Sequence, residues 1–297
     1  MANSIALAAK FQPILDDIYK LESLTARMDA LTKPIDFAGA NVVNVFKTSL
    51  VGLGTYSRTT GYPIGDVTGT WETLTLATER GRELFIDRMD DEETLGMAFG
   101  TLVGEYMRTL VVPEVDAYRF SKYASWSGIT EVGTPATLTS GTVMAAIDVA
   151  IAALNAAEVP VEGRILYASD TVYGFIKAAV TRSLANESSF DRRLLTLDGM
   201  PVIMVPQTRF YKGITLDAGA TASAGGYAKT GTTGRDINFL MLHPSAVLQV
   251  KKHDNLKLFD PDVNQDADGW KIQYRLYHDA WVYANKVLGI YSHIKAS

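Results

Sequence analysis

The sequence predicts an α+β fold in which a long helix and a helix–strand core are flanked by strands and by one extended loop. Three patterns predict it. Two strand-like stretches within residues 40–90 are separated by a turn-rich excursion, and the longest helical pattern follows over residues 90–125. Helix, strand, helix and strand then alternate from Thr139 to about residue 206. At roughly 100–200 residues per domain, the chain of 297 residues holds about two domains or one elaborate one.

The first 33 residues predict a mostly helical arm. Pro13 suits the first turn of a helix, because its missing N–H is not needed there. An apolar stripe at spacings of three and four follows, and it consists of Ile14, Leu15, Ile18, Leu21 and Leu24. Such a stripe must dock on a surface, and its own domain and a neighbouring chain are equally good candidates. The N-terminus lacks the basic flank of a signal peptide, and no stretch reaches the roughly 20 apolar residues of a membrane span.

The excursion within residues 40–90 is rich in Gly, Thr and Pro. Loops longer than about 12–15 residues are uncommon in compact domains and are usually functional or disordered. This one carries the rigid aromatics Tyr56, Tyr62 and Trp71, which argue against simple disorder. Its composition suggests little apolar surface for a core of its own. We therefore expect the loop from Thr55 to Trp71 to grip a partner.

The long helical pattern is expected to start at a cap made by Asp90 or Asp91, with Glu92 and Glu93 in its first turn, where the helix dipole favours acids. Pro113 falls inside the pattern, and the apolar spacing resumes beyond it. A proline removes one helical hydrogen bond, so the sequence predicts a bent helix that continues past the proline.

The second half of the chain predicts an alternating core. Ser169 or Asp170 is expected to cap one of its helices, and residues 217–236, rich in Gly, Ala and Thr, are expected to form a mobile loop. The expected helices are 143–154 and 170–182, and the expected strands are 164–168, 200–205, 237–242 and stretches of the tail from 270 to 294.

Composition excludes several classes of function. The net charge of −5 argues against a dominant basic face for nucleic acid. With no cysteine there is no disulfide framework, thiolate metal site or cysteine nucleophile, which fits a reducing cytoplasm. The sequence holds no phosphate-cradling loop, zinc helix or nucleophile elbow. Structural roles are favoured for the four histidines, which are His243, His253, His278 and His293.

Two acidic clusters remain as candidate cation sites. The cluster from Asp87 to Glu93 has the carboxylates of a divalent site, but a helix cap balanced by nearby arginines is the favoured interpretation. The run from Asp260 to Gly269 nearly matches a calcium loop, with Arg275 at the position that needs a bidentate glutamate. A polar turn before a strand is favoured there, and no cofactor is expected.

Several segments together carry a family resemblance, although no single one is diagnostic. They are Tyr56-Ser-Arg58, Gly61-Tyr62-Pro63, Trp71, 87–94, 113–119, 166–169 with Tyr173, 199–203, Asp279, Asn285-Lys286 and Gly289-Ile290-Tyr291. In their order along the chain they resemble the major capsid proteins of tailed bacteriophages, whose fold is shared with encapsulin shells. The resemblance covers nearly the whole chain.

The resemblance implies a fold with four parts. They are an N-terminal arm over 1–40, an extended β-hairpin loop over 41–88, a peripheral domain with a long spine helix over 89–135 and 245–297, and an axial α/β domain over 136–244. Copies are expected to form hexamers and pentamers that close an icosahedral head around double-stranded DNA, assembled in the host cytoplasm. The expected contacts between subunits involve Tyr56, Arg58, Tyr62, Trp71, Arg80, Arg82, Asp90, Asp91, Glu92 and Glu93.

The sequence differs in two respects from some members of the family that it resembles, and both differences bear on how copies are expected to assemble. Some relatives carry a scaffolding segment ahead of the arm; here the arm is expected to start at Met1, which leaves scaffolding to a separate protein beside a portal protein and a decoration protein. Some relatives cross-link subunits through a lysine of the extended loop, whereas this chain has no lysine between Lys47 and Lys122. Two alternatives stay open: an encapsulin that packages a protein cargo, and, less favoured, an enzyme with a metal at Asp87–Glu93.

Overall fold

The computed structural model describes residues 23–29, 41–93, 103–180, 196–221 and 224–296, with only the backbone for 91–93. The chain divides into two compact units, Lys33–Thr78 and Met1–Thr32 with Glu79–Ser297. The apolar stripe of the arm lies outside the described residues except for Leu24, which packs against the core of its own chain. None of the described helices has the length and apolar character needed to cross a membrane.

Mostly short strands and helices follow one another along the described residues. The strands are β1 Val42–Leu50, β2 Val67–Thr75, β3 Thr78–Asp87, β4 Thr130–Glu131, β5 Ile165–Ser169, β6 Thr196–Leu197, β7 Met200–Val205, β8 Tyr211–Lys212, β9 Ile214–Leu216, β10 Tyr227–Lys229, β11 Arg235–Leu242, β12 Val247–Phe259, β13 Gly269–Val282 and β14 Ile290–Ile294. The helices are α1 Ala26–Asp29, α2 Arg88–Glu93, α3 Val112–Ser125, α4 Val143–Ala156 and α5 Asp170–Ala179. Met107–Val111 is a π-helical turn, and 3₁₀ turns lie at Gln207–Arg209, Pro244–Ala246 and Ala284–Gly289.

The smaller unit is built around a hairpin. Strands β1 and β2 pair antiparallel without a break, from Val42 opposite Thr75 to Leu50 opposite Val67. Residues 51–66 form the excursion between them, so the predicted pair of strands joined by a turn-rich loop is confirmed. The unit ends at Thr78, whereas β3 belongs to a three-stranded sheet of the larger unit in the order β12-β13-β3. The four-part division implied by the resemblance stays a prediction.

Strand β12 is the longest strand that the sequence analysis missed. It pairs antiparallel with β13 over its whole length, with a bulge between Lys251 and His253. The bulge adds one residue and shifts the alternation of faces, and consecutive polar residues occupy the same stretch. A period-two search therefore finds no strand there, although the hydrogen-bonded ladder is long.

The spine helix runs through Pro113, as predicted. Residues 103–106 are α-helical, the π turn follows, and α3 continues to Ser125. Within the π turn, the N–H of Val112 reaches back to the carbonyl of Met107. This wider turn is one way in which a helix accommodates a break in its regular hydrogen bonding, and it ends two residues before the proline.

The predicted cap of the acidic helix is wrong. Helix α2 begins at Arg88, because β3 runs directly into it, and the Oδ1 of Asp87 accepts a hydrogen bond from the N–H of Met89 at 2.9 Å. Asp90 and Asp91 therefore lie inside the helix. Residues 94–102, the first part of the predicted apolar stripe, lie outside the described residues.

The alternating second half forms a mixed sheet in the order β4-β14-β11-β5-β7-β6. Successive residues of β5 point to opposite faces. Tyr167 packs with Phe120 of α3, whereas Leu166 packs in the cluster that contains Ile147 of α4. The predicted helix–strand order is confirmed, and Ser169 caps α5 by accepting a hydrogen bond from the N–H of Val172 at 3.4 Å. The expected loop over 217–236 is only partly a loop, because it contains β10 and the start of β11.

Candidate assembly surfaces

The hairpin carries large apolar side chains that its own chain leaves exposed. Tyr62 is 85% exposed, Ile64 is 99% exposed and Trp71 is 67% exposed. The full set is Phe46, Leu50, Val51, Leu53, Tyr56, Tyr62, Ile64, Val67 and Trp71. Contiguous exposed apolar surface marks interaction sites in soluble proteins. The loop from Thr55 to Trp71 supplies no residue to the buried core clusters of the described chain, as expected, although aliphatic residues such as Ile64 and Val67 lie between its aromatic ones.

Local contacts hold the aromatic side chains of the hairpin in place. The rings of Tyr56 and Tyr62 lie 4.9 Å apart between centroids, and so do those of Phe46 and Trp71. Gly69 faces the ring of Phe46, where an added Cβ would lie 2.5 Å from the ring Cζ. A side chain at position 69 would therefore displace the Phe46 ring from its present position beside Trp71, and the rings are arranged before any partner arrives.

The tip of the hairpin is closed by hydrogen bonds. Ser57 and Gly61 exchange two backbone hydrogen bonds, at 2.8 and 3.2 Å, and Gly61 has a φ of +82° that favours glycine. The Oγ of Ser57 accepts from the N–H groups of Thr59 and Thr60, both at 3.2 Å. Arg58 lies within this turn and is exposed. The tip therefore presents Arg58 and its tyrosines from an internally bonded turn.

Arg80 and Arg82 were expected to reach acids of a neighbouring subunit, and in the structure they bind acceptors of their own chain. Arg80 donates through Nε to Glu114 Oε1 at 2.6 Å and through Nη2 to Oε2 at 3.3 Å. It also donates to the carbonyls of Asp217 at 2.6 Å and Gly226 at 3.2 Å. Arg82 donates to the carbonyl of Ala224 at 3.0 Å. Arg80 thus connects the carbonyls of Asp217 and Gly226 to Glu114 of the spine helix, and Arg82 holds the carbonyl of Ala224.

These arginines line a groove of 980 Å³ in the larger unit. Its walls come from β3, the spine helix, residues 217–219 and 224–227, and β13. Three tyrosines, Tyr106, Tyr227 and Tyr274, lie among them. Burial raises the pKa of Tyr227 to about 12, so its hydroxyl stays protonated at a pH where an exposed tyrosine ionises. The hydroxyl donates to the carbonyl of Thr208 at 2.9 Å. The groove thus exposes charged and aromatic groups, which are residue types that protein interfaces use.

The acidic helix α2 carries the sequence Asp90-Asp91-Glu92-Glu93, and Asp90 is exposed. At its start, Arg88 forms ion pairs with Asp262 at 3.4 Å and Asp268 at 3.8 Å. These contacts connect the helix to the acidic turn that resembles a calcium loop. The four carboxylates in sequence give this helix a strong negative charge.

The acidic turn is stabilised by its own chain. The Oδ1 of Asp260 accepts from the N–H of Asp262 at 3.2 Å, and Asn264 donates to the carbonyl of Gly269 at 3.0 Å. A hydrogen bond from Lys271 lowers the pKa of Asp266. No group of three or more acids or histidines suited to a metal occurs among the described residues.

Buried charges on the spine helix escaped the sequence analysis. Asp116 and Arg119 are fully buried, although they lie between the apolar residues Val115 and Phe120. An acid and a base three residues apart within the apolar stripe of a helix were the available signal. Their partners lie about 90 positions away in both directions along the chain, which the pattern alone does not show.

The comparisons with known proteins identify the fold. No family model and no curated protein matches the chain. Solved structures do match: Gordonia phage Cozz with a TM-score of 0.60 at 14% identity, covering 91% of this chain and 86% of that one. The capsid structure of the Cyanophage P-SCSP1u matches with a TM-score of 0.54 at 14% identity, covering 88% and 85%. A virus-like particle from Pyrococcus furiosus matches with a TM-score of 0.53 at 10% identity, covering 96% and 98%.

The chain therefore has the fold of tailed-phage major capsid proteins, as the sequence resemblance predicted.

Proposed function

We propose that this chain is the major capsid protein of a tailed phage, which self-assembles into hexamers and pentamers of an icosahedral shell around double-stranded DNA. The observation that carries the proposal is the capsid fold together with a hairpin whose apolar side chains are exposed. The assembly contacts, the genome and the place of assembly in a host cytoplasm are part of the proposal. So are the partners: a separate scaffolding protein, a portal protein and a decoration protein.

The hairpin supports the proposal because its chemistry suits an interface. Tyr and Trp dominate the energetics of many protein interfaces. Here Tyr56, Tyr62 and Trp71 are all exposed on the hairpin, and the rings of Tyr56 and Tyr62 pack against each other. Each contact contributes on the order of 1–2 kcal/mol. In a closed shell, symmetry repeats such a contact around every ring. A modest loss per subunit then prevents closure.

The negative charge of the chain is consistent with a shell that encloses DNA without binding it tightly. The net charge of −5 and the acidic helix α2 disfavour tight binding of the shell protein to nucleic acid. A container must release its genome, so weak contact with DNA is consistent with the role. We propose that Asp90, Asp91, Glu92 and Glu93 contact basic groups of a neighbouring subunit, with Arg58 as one candidate, since such pairs set register and association rate.

An encapsulin-type compartment is the second candidate. The likeness to the virus-like particle from Pyrococcus furiosus, which spans nearly the whole of both chains, favours it. The two candidates differ in what the shell contains. Both assign the chain a structural role, and a metal bound in stoichiometric amount would instead favour an enzyme.

The deciding experiment is electron microscopy of the purified protein together with analysis of the particle contents. The phage proposal expects icosahedral particles with hexamers and pentamers, and DNA inside particles isolated from a producing host. Particles that enclose a protein cargo and no DNA support the encapsulin candidate. A protein that stays monomeric at high concentration with every proposed partner present contradicts both.

A further inference from the structure

The end of the N-terminal arm is held by one buried carboxylate. Asp116 of α3 is fully buried and accepts four hydrogen bonds from three consecutive residues. Its Oδ1 accepts from the Oγ of Ser23 at 2.8 Å, and from the N–H and Oγ1 of Thr25 at 3.3 and 2.7 Å. Its Oδ2 accepts from the N–H of Leu24 at 3.0 Å. A buried carboxylate without such partners is costly, so this segment satisfies a charge that α3 alone leaves unsatisfied.

The segment also balances the charge of the pocket. Arg119, fully buried, donates to the Oγ1 of Thr25 at 2.8 Å and pairs with Asp29 at 3.3 Å. Arg209 pairs with the Oδ2 of Asp116 at 3.4 Å. With the segment in place, two acids face two arginines. Without it, Asp29 and the exposed Arg27 are both absent, and Asp116 alone faces the two arginines Arg119 and Arg209.

Apolar contacts complete the recognition. Met28 is 1% exposed and packs in the core cluster that contains Phe120 and Tyr123. The hydroxyl of Tyr167 donates to the carbonyl of Leu24 at 3.2 Å, and burial raises the pKa of Tyr167, which keeps the hydroxyl a donor. The pocket therefore contacts the turn through a carboxylate, an arginine, a tyrosine hydroxyl and an apolar cluster.

We propose that this pocket is a peptide-binding site specific for the turn Ser23-Leu24-Thr25-Ala26-Arg27-Met28-Asp29, and that it binds the turn without a covalent connection. The occupant is this segment of the chain itself. All of the contacts described come from seven consecutive residues, so the covalent link adds effective concentration and no recognition. The described part of the arm is thereby fixed at a separable anchor, and a free peptide of the same sequence competes for it.

The test uses the full-length chain with Ser23→Ala and Thr25→Val, which weakens its own segment. The probe is a fluorescein-labelled synthetic peptide of residues 21–31, titrated by fluorescence polarisation. We expect saturable binding and a rise in Tm on addition of the unlabelled peptide. Peptides carrying Ser23→Ala with Thr25→Val, or Asp29→Asn, are expected to bind at least tenfold more weakly.

A matched pair of protein variants locates the site. Asp116→Asn in the same background is expected to lose peptide binding, whereas Asp148→Asn, at an exposed position of α4, is expected to keep it. If the doubly substituted chain is not folded by circular dichroism, the chain with Ser23→Ala alone takes its place. If Asp116→Asn is unfolded, the peptide series decides.

The proposal is overturned if the folded chain shows no saturable binding, or if the natural and substituted peptides bind equally well. Unchanged binding to a folded Asp116→Asn protein also overturns it. All measurements use unassembled protein, so their outcome is independent of whether the chain forms a shell.

Discussion

The hairpin and the mixed sheet contain the same kinds of apolar side chain, but these are exposed in the hairpin and buried in the sheet. In β11, Phe239, Leu240 and Met241 are fully buried between helices on the two faces of the sheet. In the hairpin, Phe46 and Trp71 lie on a regular two-stranded ladder and stay exposed. The comparison teaches that strand pairing alone does not bury a side chain. A second layer does, and for the hairpin we propose that another subunit provides it.

The largest expected effect separates assembly from folding. Replacing residues 59–69 with a short Gly-Ser turn removes most of the tip and the aromatic Tyr62, together with the first three residues of β2. Because the removed residues are largely exposed, we expect a folded monomer or small oligomer that forms no full-size shell. Thermal unfolding together with particle sizing measures both properties. Full-size shells, or a chain that fails to fold, would contradict the assignment of this loop to contacts between subunits.

A matched pair of aromatic substitutions gives the next largest effect. Phe239 is fully buried and stacks on His293 at 5.0 Å, so Phe239→Ala is expected to destabilise the fold by about 3–5 kcal/mol. Trp71→Ala is expected to change the stability by less than about 0.5 kcal/mol, as exposed sites do, while lowering the yield of shells. Urea unfolding and particle yield test the pair. The comparison fails if Trp71→Ala destabilises as much as Phe239→Ala.

The third prediction concerns the loss of folding stability in acid that the buried residue His278 causes. Burial lowers the pKa of His278 to about 3, with smaller effects from the charges of Arg119, Lys251 and Arg80. The folded protein keeps His278 neutral, so the unfolded chain binds the extra proton between pH 6.5 and about 3. Stability therefore falls as the pH drops through this window, by up to about 1.4 kcal/mol per unit.

The variant His278→Phe is expected to flatten this dependence while keeping the contact with the ring of Tyr118, whose centroid lies 5.1 Å from that of His278. Urea unfolding at pH 7 and pH 5 gives the slope for both proteins. An equal slope in the two would show that the histidine is not the group responsible.

The fourth prediction tests a partly buried ion pair. Arg80→Ala removes the two hydrogen bonds to Glu114 and the contacts to the 217–226 loop. Both side chains are about one-fifth exposed, and we expect a loss of roughly 1–2 kcal/mol. A double-mutant cycle with Glu114→Gln measures the coupling. Coupling near zero, with shells lost and stability kept, would instead favour the original expectation that Arg80 contacts a neighbour.

The last prediction is that subunits of the shell are not cross-linked covalently through the extended loop. The stretch from Thr48 to Ser121 contains no lysine and covers the whole extended loop, so we predict assembly without covalent cross-links through that loop. Mature particles boiled in detergent are expected to give a single band near 32.4 kDa. A ladder of covalent multimers refutes this.

The sequence by itself determined the elements whose cause is local. The stripe of α4, the Ser169 cap of α5 and the apolar strand β7 follow from side-chain period and capping chemistry within a few residues. The continuation of the spine helix past Pro113 follows from the same period. The order of these segments along the chain also carried the family resemblance that the structural comparisons support.

The tertiary structure decided the features whose partners are distant in sequence. Only the fold brings Asp116 to Thr25, 91 positions away, and Arg80 to the carbonyl of Gly226, 146 positions away. The length of β12 likewise depends on its ladder with β13, which holds the strand across a bulge that hides its period. Burial and hydrogen-bond partners are properties of the packed chain, so a local pattern can name the residues but cannot say which of them meet.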